Sequence, residues 1–285
     1  MKKSILAVAT AVIVIAGGMI WYTQGTSHET EKAVSADTAK ASTSSTIKET
    51  VESIEPKKIP KVTLPVTDNQ ELDAFLKGQR FSGTALVVRK GQVILNQSYG
   101  LANQEKQIKN TTTTRYYIGS AQKAIIATAI LQLEQAGKLS INDPIAKYLA
   151  NFPNGQQITL KNLLNHTSGL TGRKEGSEKI LPQRIVEEIE AAGSDSAIGT
   201  WHYSDSNYAV LAYLVQQLSH QSVAEYVQAN IFKPANMQDS GFYQSTDPIE
   251  NLAESYKEKN GQVEKAELPD LSQLFGAGDI YTTAT

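Results

Sequence analysis

The chain has 285 residues, 40% of them hydrophobic, and a formal net charge of −2. That is apolar material for one sizeable domain or two small ones, with no basic footprint for nucleic acid. Cysteine is absent, which excludes disulfides, thiolate metal sites, a cysteine nucleophile and any lipid-attachment cysteine.

Lys2 and Lys3 precede an uncharged apolar run from Ile5 to Tyr22. Its length lies between that of a signal-peptide core and that of a membrane span. The sequence that follows, WYTQGTSHET, offers no small-x-small cleavage pattern, and the nearest candidate, Val34-Ser35-Ala36, lies far downstream. Residues 1–22 are therefore expected to form an uncleaved signal-anchor transmembrane helix, with a cleaved signal and secretion as the alternative. The positive charges stay inside, so the remainder is expected outside as the extracellular part of a single-pass membrane protein. An exported chain without cysteine suits a bacterial envelope. Residues 23–65 are rich in Ser, Thr, Lys and Glu with no apolar period, the composition of a flexible linker.

A folded domain is expected over residues 66–285. FSGTALVV (Phe81 to Val88) and QVILNQSY (Gln92 to Tyr99) are β-branched runs on either side of Arg89-Lys90-Gly91, a hairpin signal. Ser120 to Ala136 is apolar nearly all round and predicts a buried central helix ended by Gly137. Thr159 caps a short helix, LKNLLN, which stops at HTSGL. A longer helix is predicted from Ser206 to Ser219, then one with a Ser222/Glu225 capping box and Pro234 beyond its end. A hairpin followed by a mostly helical block is an α+β arrangement.

Within RYYIGSAQKAIIATAILQL, Ser120 and Lys123 stand three residues apart, on one face of a helix. Ser45 and Lys48 have the same spacing inside the linker, so context must separate the two pairs. Ser120 lies where a strand-and-loop region feeds an apolar helix, whose free backbone N–H groups can assist an oxyanion. Lys123 is a charge among apolar neighbours, costly without a polar role. Tyr203 lies in AIGTWHYSDSNY, again just ahead of an apolar helix. The four histidines (His28, His166, His202, His220) show no metal spacing, and His166 reads as a loop residue that satisfies backbone groups.

These residues carry a resemblance. FSGTALVV, IGSAQK, GKLSINDPIAKYL, ITLKNLLNHTSGL, YSDSNYAVL and GAGDIYTTA occur in this order, and the chain from Phe81 onward resembles the serine β-lactamases and penicillin-recognising enzymes. It is most similar to the branch of class C β-lactamases, D,D-peptidases and related esterases. The resemblance implies a β-lactamase/transpeptidase-like α+β fold and an acyl-enzyme on Ser120. Lys123 would be its hydrogen-bonding partner and proton acceptor, and Tyr203 the second base across the cleft. No cofactor or metal is implied. The implied partners are a cell-envelope substrate (a peptidoglycan peptide or a D-alanyl ester) or a β-lactam, with membrane attachment through the N-terminal helix and no nucleic acid.

The chain departs from that family's pattern twice. Its Tyr-x-Asn motif reads Tyr203-Ser204-Asp205. As a substrate-binding position, Asp205 replaces a donor by a carboxylate and sets a negative charge beside Lys123. The family's third motif, Lys or His then Thr or Ser then Gly, has no counterpart after Tyr203. The C-terminal strands are therefore expected to be missing and the chain incomplete, with the hairpin at 81–99 keeping open edges. Two alternatives stay open beside the hydrolase: a non-catalytic envelope-binding or regulatory protein, and an inactive fragment.

Overall fold

Turn chemistry sets the first sheet. The computed structural model describes residues 69–243 and 248–285, so the expected anchor (1–22) and linker (23–65) lie outside the described residues. Helix α1 (Gln70–Gly78) starts at Asn69, whose side chain accepts from the Glu71 and Leu72 N–H groups. Strands β1 (Gly83–Arg89) and β2 (Gln92–Tyr99) pair antiparallel with Arg89 opposite Gln92. The two residues between them, Lys90 and Gly91, have φ of +50° and +75°. That left-handed pair matches the strands' own twist, and Gly91 supplies half of it without a Cβ penalty. Strands β3 (Leu101–Asn103) and β4 (Ile108–Lys109) form a second, smaller hairpin.

The chain then enters the part that positions the site. Strand β5 (Tyr116–Tyr117) leads through a 3₁₀ turn at Gly119–Ala121 into helix α2 (Gln122–Gln135). Helices α3 (Leu160–Leu164), α4 (Pro182–Ala192), α5 (Asp205–Ser219) and α6 (Val223–Val227) follow. Thr159 and Asn162 close a capping box on α3, and Ser222 and Glu225 close one on α6. Strand β6 (Gly241–Phe242) comes next, then a hairpin of β7 (Tyr256–Lys259) and β8 (Gln262–Lys265), and last β9 (Ile280–Thr282). The pairing of β9 between β5 and β6, antiparallel to both, brings the end of the described chain beside the start of α2. The fold is α+β with antiparallel sheets, as the sequence implied. No helix among the described residues is long and apolar enough to cross a membrane.

The central helix is α5, not α2. Val210, Leu211, Ala212, Leu214 and Val215 are all fully buried, since α2, α3, α4 and α6 each pack against α5. Helix α2 buries Ile126, Ala129, Ile130 and Leu133 but leaves Ala124, Thr128, Leu131 and Gln135 exposed. Those four fall on one stripe at helical spacing. The all-round apolar character of α2 therefore corresponds to one buried face and one open face.

A polar stitch fixes β9 to α2. The Gln122 side chain is fully buried; its Nε2 donates to Asp279 Oδ1 at 2.5 Å and its Oε1 accepts from Ile280 N–H at 2.8 Å. Gly276 N–H also donates to Asp279 Oδ1. Burial pushes the Asp279 carboxyl up to about 6, more than these hydrogen bonds pull it down. Its proton is thus held more tightly in the folded chain than in the unfolded one. The resulting stabilisation is full below about pH 4 and is lost as pH rises through about 6. Relative to an Asp279→Asn variant, the wild type should lose about 2 kcal/mol of unfolding free energy between pH 4 and pH 7. Denaturant titrations across that range check this, and parallel curves for the two proteins would contradict it.

Candidate active site

Ser120 owes its position to a change of backbone hand. Ile118 N–H donates to Ile280 O at 3.0 Å, continuing the β5–β9 pairing, and Gly119 then takes φ +51°. The left-handed residue turns the chain out of the sheet and into the helix, leaving Ser120 exposed at its mouth. One turn on, Lys123 is only 7% exposed.

The structure brings together all four site residues named from the sequence. Lys123 Nζ donates to Ser120 Oγ at 2.9 Å, and Tyr203 Oη lies 2.6 Å from the same oxygen. Asp205 Oδ1 is 2.7 Å from Lys123 Nζ. Nζ also donates to the Ala277 carbonyl at 3.2 Å and lies 5.1 Å from the Tyr203 ring centre and 5.8 Å from that of Tyr208. The buried ammonium thus has a carboxylate, a hydroxyl, a carbonyl and two aromatic faces around it, which offsets its desolvation. Asp205 opens α5, where a negative side chain is favourable.

His166 holds Tyr203. It follows the C-cap of α3 in a left-handed conformation (φ +57°), and its carbonyl accepts from His202 N–H at 2.8 Å. The ring stacks on Tyr203 with centres 4.5 Å apart. His166 Nδ1 takes the Ser204 N–H at 3.3 Å and lies 3.2 Å from Asn207 Nδ2. Two donors at Nδ1 place the ring proton on Nε2, the neutral form. Burial first, and the Lys123 charge second, push the His166 imidazolium below its ordinary range. Asn207 is fully buried, and its Nδ2 also donates to Ser204 O at 3.0 Å. The backbone role of His166 is legible in the sequence, but its stack on Tyr203 and the part played by Asn207 are not. Only a left-handed histidine after a short helix could have hinted at the stack.

A concavity of about 370 Å³ between α1 and β2, walled by Asp73, Lys77 and Tyr99, lies elsewhere. There Asp73 is bound by both Lys77 and Tyr99, whereas the Ser120 hydroxyl stands exposed between Lys123 and Tyr203. Among the described residues no cluster of His, Asp and Glu could hold a metal ion.

The chain matches the model of the Beta-lactamase family over residues 69–285 and belongs to that family. It is similar to a Bacillus subtilis (strain 168) protein named penicillin-binding protein PbpX, at 47% identity over 77% of this chain and 56% of that one. It is also similar to the teichoic acid D-alanine hydrolase of Staphylococcus aureus (strain MRSA252), at 34% identity over 76% of this chain and 55% of that one. Among solved structures, FmtA from Staphylococcus aureus superposes with a TM-score of 0.72 at 32% identity, covering 78% of this chain and 66% of that one. The chain thus spans little more than half the length of the curated relatives it matches.

A loosened Tyr203 should slow reaction at Ser120. The His166→Ala variant is expected to react with a fluorophosphonate at Ser120 about tenfold to a hundredfold more slowly at pH 7 while staying folded, because misplacing a reacting group by an ångström costs rate on that scale. Timed labelling read on a gel checks it, and an unchanged rate would remove His166 from the site.

Proposed function

We propose that this protein is an exported serine hydrolase that forms an acyl-enzyme on D-alanyl esters or amides of the cell envelope, with β-lactams as mimics. The observation that carries the reading is the pair of short contacts on one exposed hydroxyl, from Lys123 and from Tyr203 to Ser120 Oγ. A serine hydroxyl is a weak nucleophile at neutral pH and needs such an adjacent base. The apolar run after Lys2 and Lys3 supports export and anchoring, and the linker at 23–65 supports a domain held away from the membrane. The relative named teichoic acid D-alanine hydrolase supports the substrate class.

The charge arrangement divides the labour. As half of an ion pair with Asp205, Lys123 is a donor: it holds Ser120 Oγ and sets positive charge near the Tyr203 ring. Tyr203 Oη then accepts the Ser120 proton while Oγ attacks the carbonyl carbon. The Ala121 and Gln122 N–H groups turn back to the Ile118 and Gly119 carbonyls, which leaves the Ser120 N–H to meet the developing oxyanion. The proton passes from Tyr203 to the leaving alcohol or amine, and the acyl group stays on Ser120 as an ester. Water repeats the sequence, giving its proton to Tyr203, and Ser120 recovers its own.

A second reading, a non-catalytic envelope-binding protein that keeps the cleft, is favoured by the same ion pair, since it removes Lys123 as a free base. Incubation with a fluorescent penicillin and with a fluorophosphonate separates the two. Covalent label that disappears in the Ser120→Ala variant is the expected result. Saturable penicillin binding without covalent label would replace the hydrolase by the binding protein.

A further inference from the structure

The Asp205 carboxylate has more acceptor capacity than the protein uses. Its Oδ1 is buried and 2.7 Å from Lys123 Nζ, yet it receives no directed hydrogen bond. The side chain as a whole is 42% exposed, so the rest of the carboxyl group opens to solvent beside the exposed Ser120. A carboxylate offers about four lone-pair sites, and one ammonium does not fill them. Helix α5 needs a negative first residue no more than any other helix does, and neutralising Lys123 needs only one oxygen. Neither role accounts for the open side of the group.

We propose that Asp205 selects the substrate by binding the free α-ammonium of an aminoacyl ester or amide while Ser120 attacks the adjacent carbonyl. The inference rests on the acyl-transfer reading above. Reach supports it: Ser120 Oγ and Asp205 Oδ1 are both in contact with the same Nζ, so they are no farther apart than those two contacts laid end to end. In an aminoacyl group the ammonium is only two bonds from the carbonyl carbon. An acyl group placed for attack by Ser120 therefore brings its ammonium to the carboxylate.

Chemical complementarity supports it as well. A carboxylate accepts hydrogen bonds and cannot donate them, so it has nothing to offer the carbonyl of an N-acylated amine. Covering Asp205 with such a neutral group would strip water from a charge and return at most one uncharged N–H hydrogen bond. An ammonium returns a charge-assisted hydrogen bond in the same place. His166, neutral in its contacts with Ser204 and Asn207, adds no positive charge, so Lys123, 2.7 Å from Oδ1, is the cation with which a substrate ammonium would share the carboxylate. A site that leaves a polar group unpaired against the wrong substrate discriminates more strongly than one that only loses apolar contact.

The test measures recognition without turnover. The full chain carrying Ser120→Ala is titrated at pH 7 with D-alaninamide and with N-acetyl-D-alaninamide by calorimetry. Binding of the free amine at least about tenfold tighter is expected, since one charge-assisted contact is worth that ratio or more. The preference should vanish when Asp205→Asn is added and persist in weakened form with Asp205→Glu. Equal binding, no binding of either compound, or tighter binding of the acetylated one overturns the proposal. Should the Asp205→Asn protein fail to fold, the comparison on the Asp205 background still decides. Fluorophosphonate labelling of the unmutated chain is run alongside. Label without amine preference overturns the selectivity and keeps the acyl transfer, whereas amine preference without label does the reverse.

Discussion

A lysine charge buried at the start of an apolar helix is the constraint around which this molecule is arranged. An unpaired ammonium at the depth of Lys123 costs several kcal/mol, so the chain must supply partners from elsewhere. It does so from three separated stretches: Ser120 from its own turn, Asp205 from the start of α5, and the Ala277 carbonyl from the segment before β9. Satisfying one side chain therefore fixes three parts of the chain against one another, and that same closure assembles the site.

The helical core makes the closure possible. Helix α5 is buried without a break from Ser206 to Ala212, which anchors its first residue, and Asp205 is that residue. The HTSGL loop then serves as a bracket, with His166 joined through its backbone to His202 and through its ring to Tyr203 and Ser204. On the other side Gln122 and Asp279 hold β9 against α2. Gln122 sits between Ser120 and Lys123 in sequence but faces the core, so one turn of helix carries both the chemistry and its mooring.

Local chemistry was what the sequence made legible. The Lys90-Gly91 turn, the caps at Thr159 and Ser222, and the Ser120–Lys123 spacing each depend on residues a few positions apart, and each appears at its expected place. The roles expected of Tyr203 and Asp205 came only from the likeness of the ordered segments to a known family. What stayed hidden depends on contacts far apart in the chain: the stack of His166 on Tyr203, the pairing of Gln122 with Asp279, and the open stripe on α2. An apolar helix surface looks the same in sequence whether or not something packs on it, which is why α2 was expected to be buried all round.

Lys123 and Tyr203 both contact one oxygen, Ser120 Oγ, and are expected to work on it as a unit. A double-mutant cycle on the rate of Ser120 labelling, with Lys123→Met, Tyr203→Phe and the pair, tests it most directly. Groups that work as a unit lose nearly everything with the first removal. The double variant is expected to react about as slowly as the slower single variant. Rate losses that multiply would mean two independent effects and would contradict it.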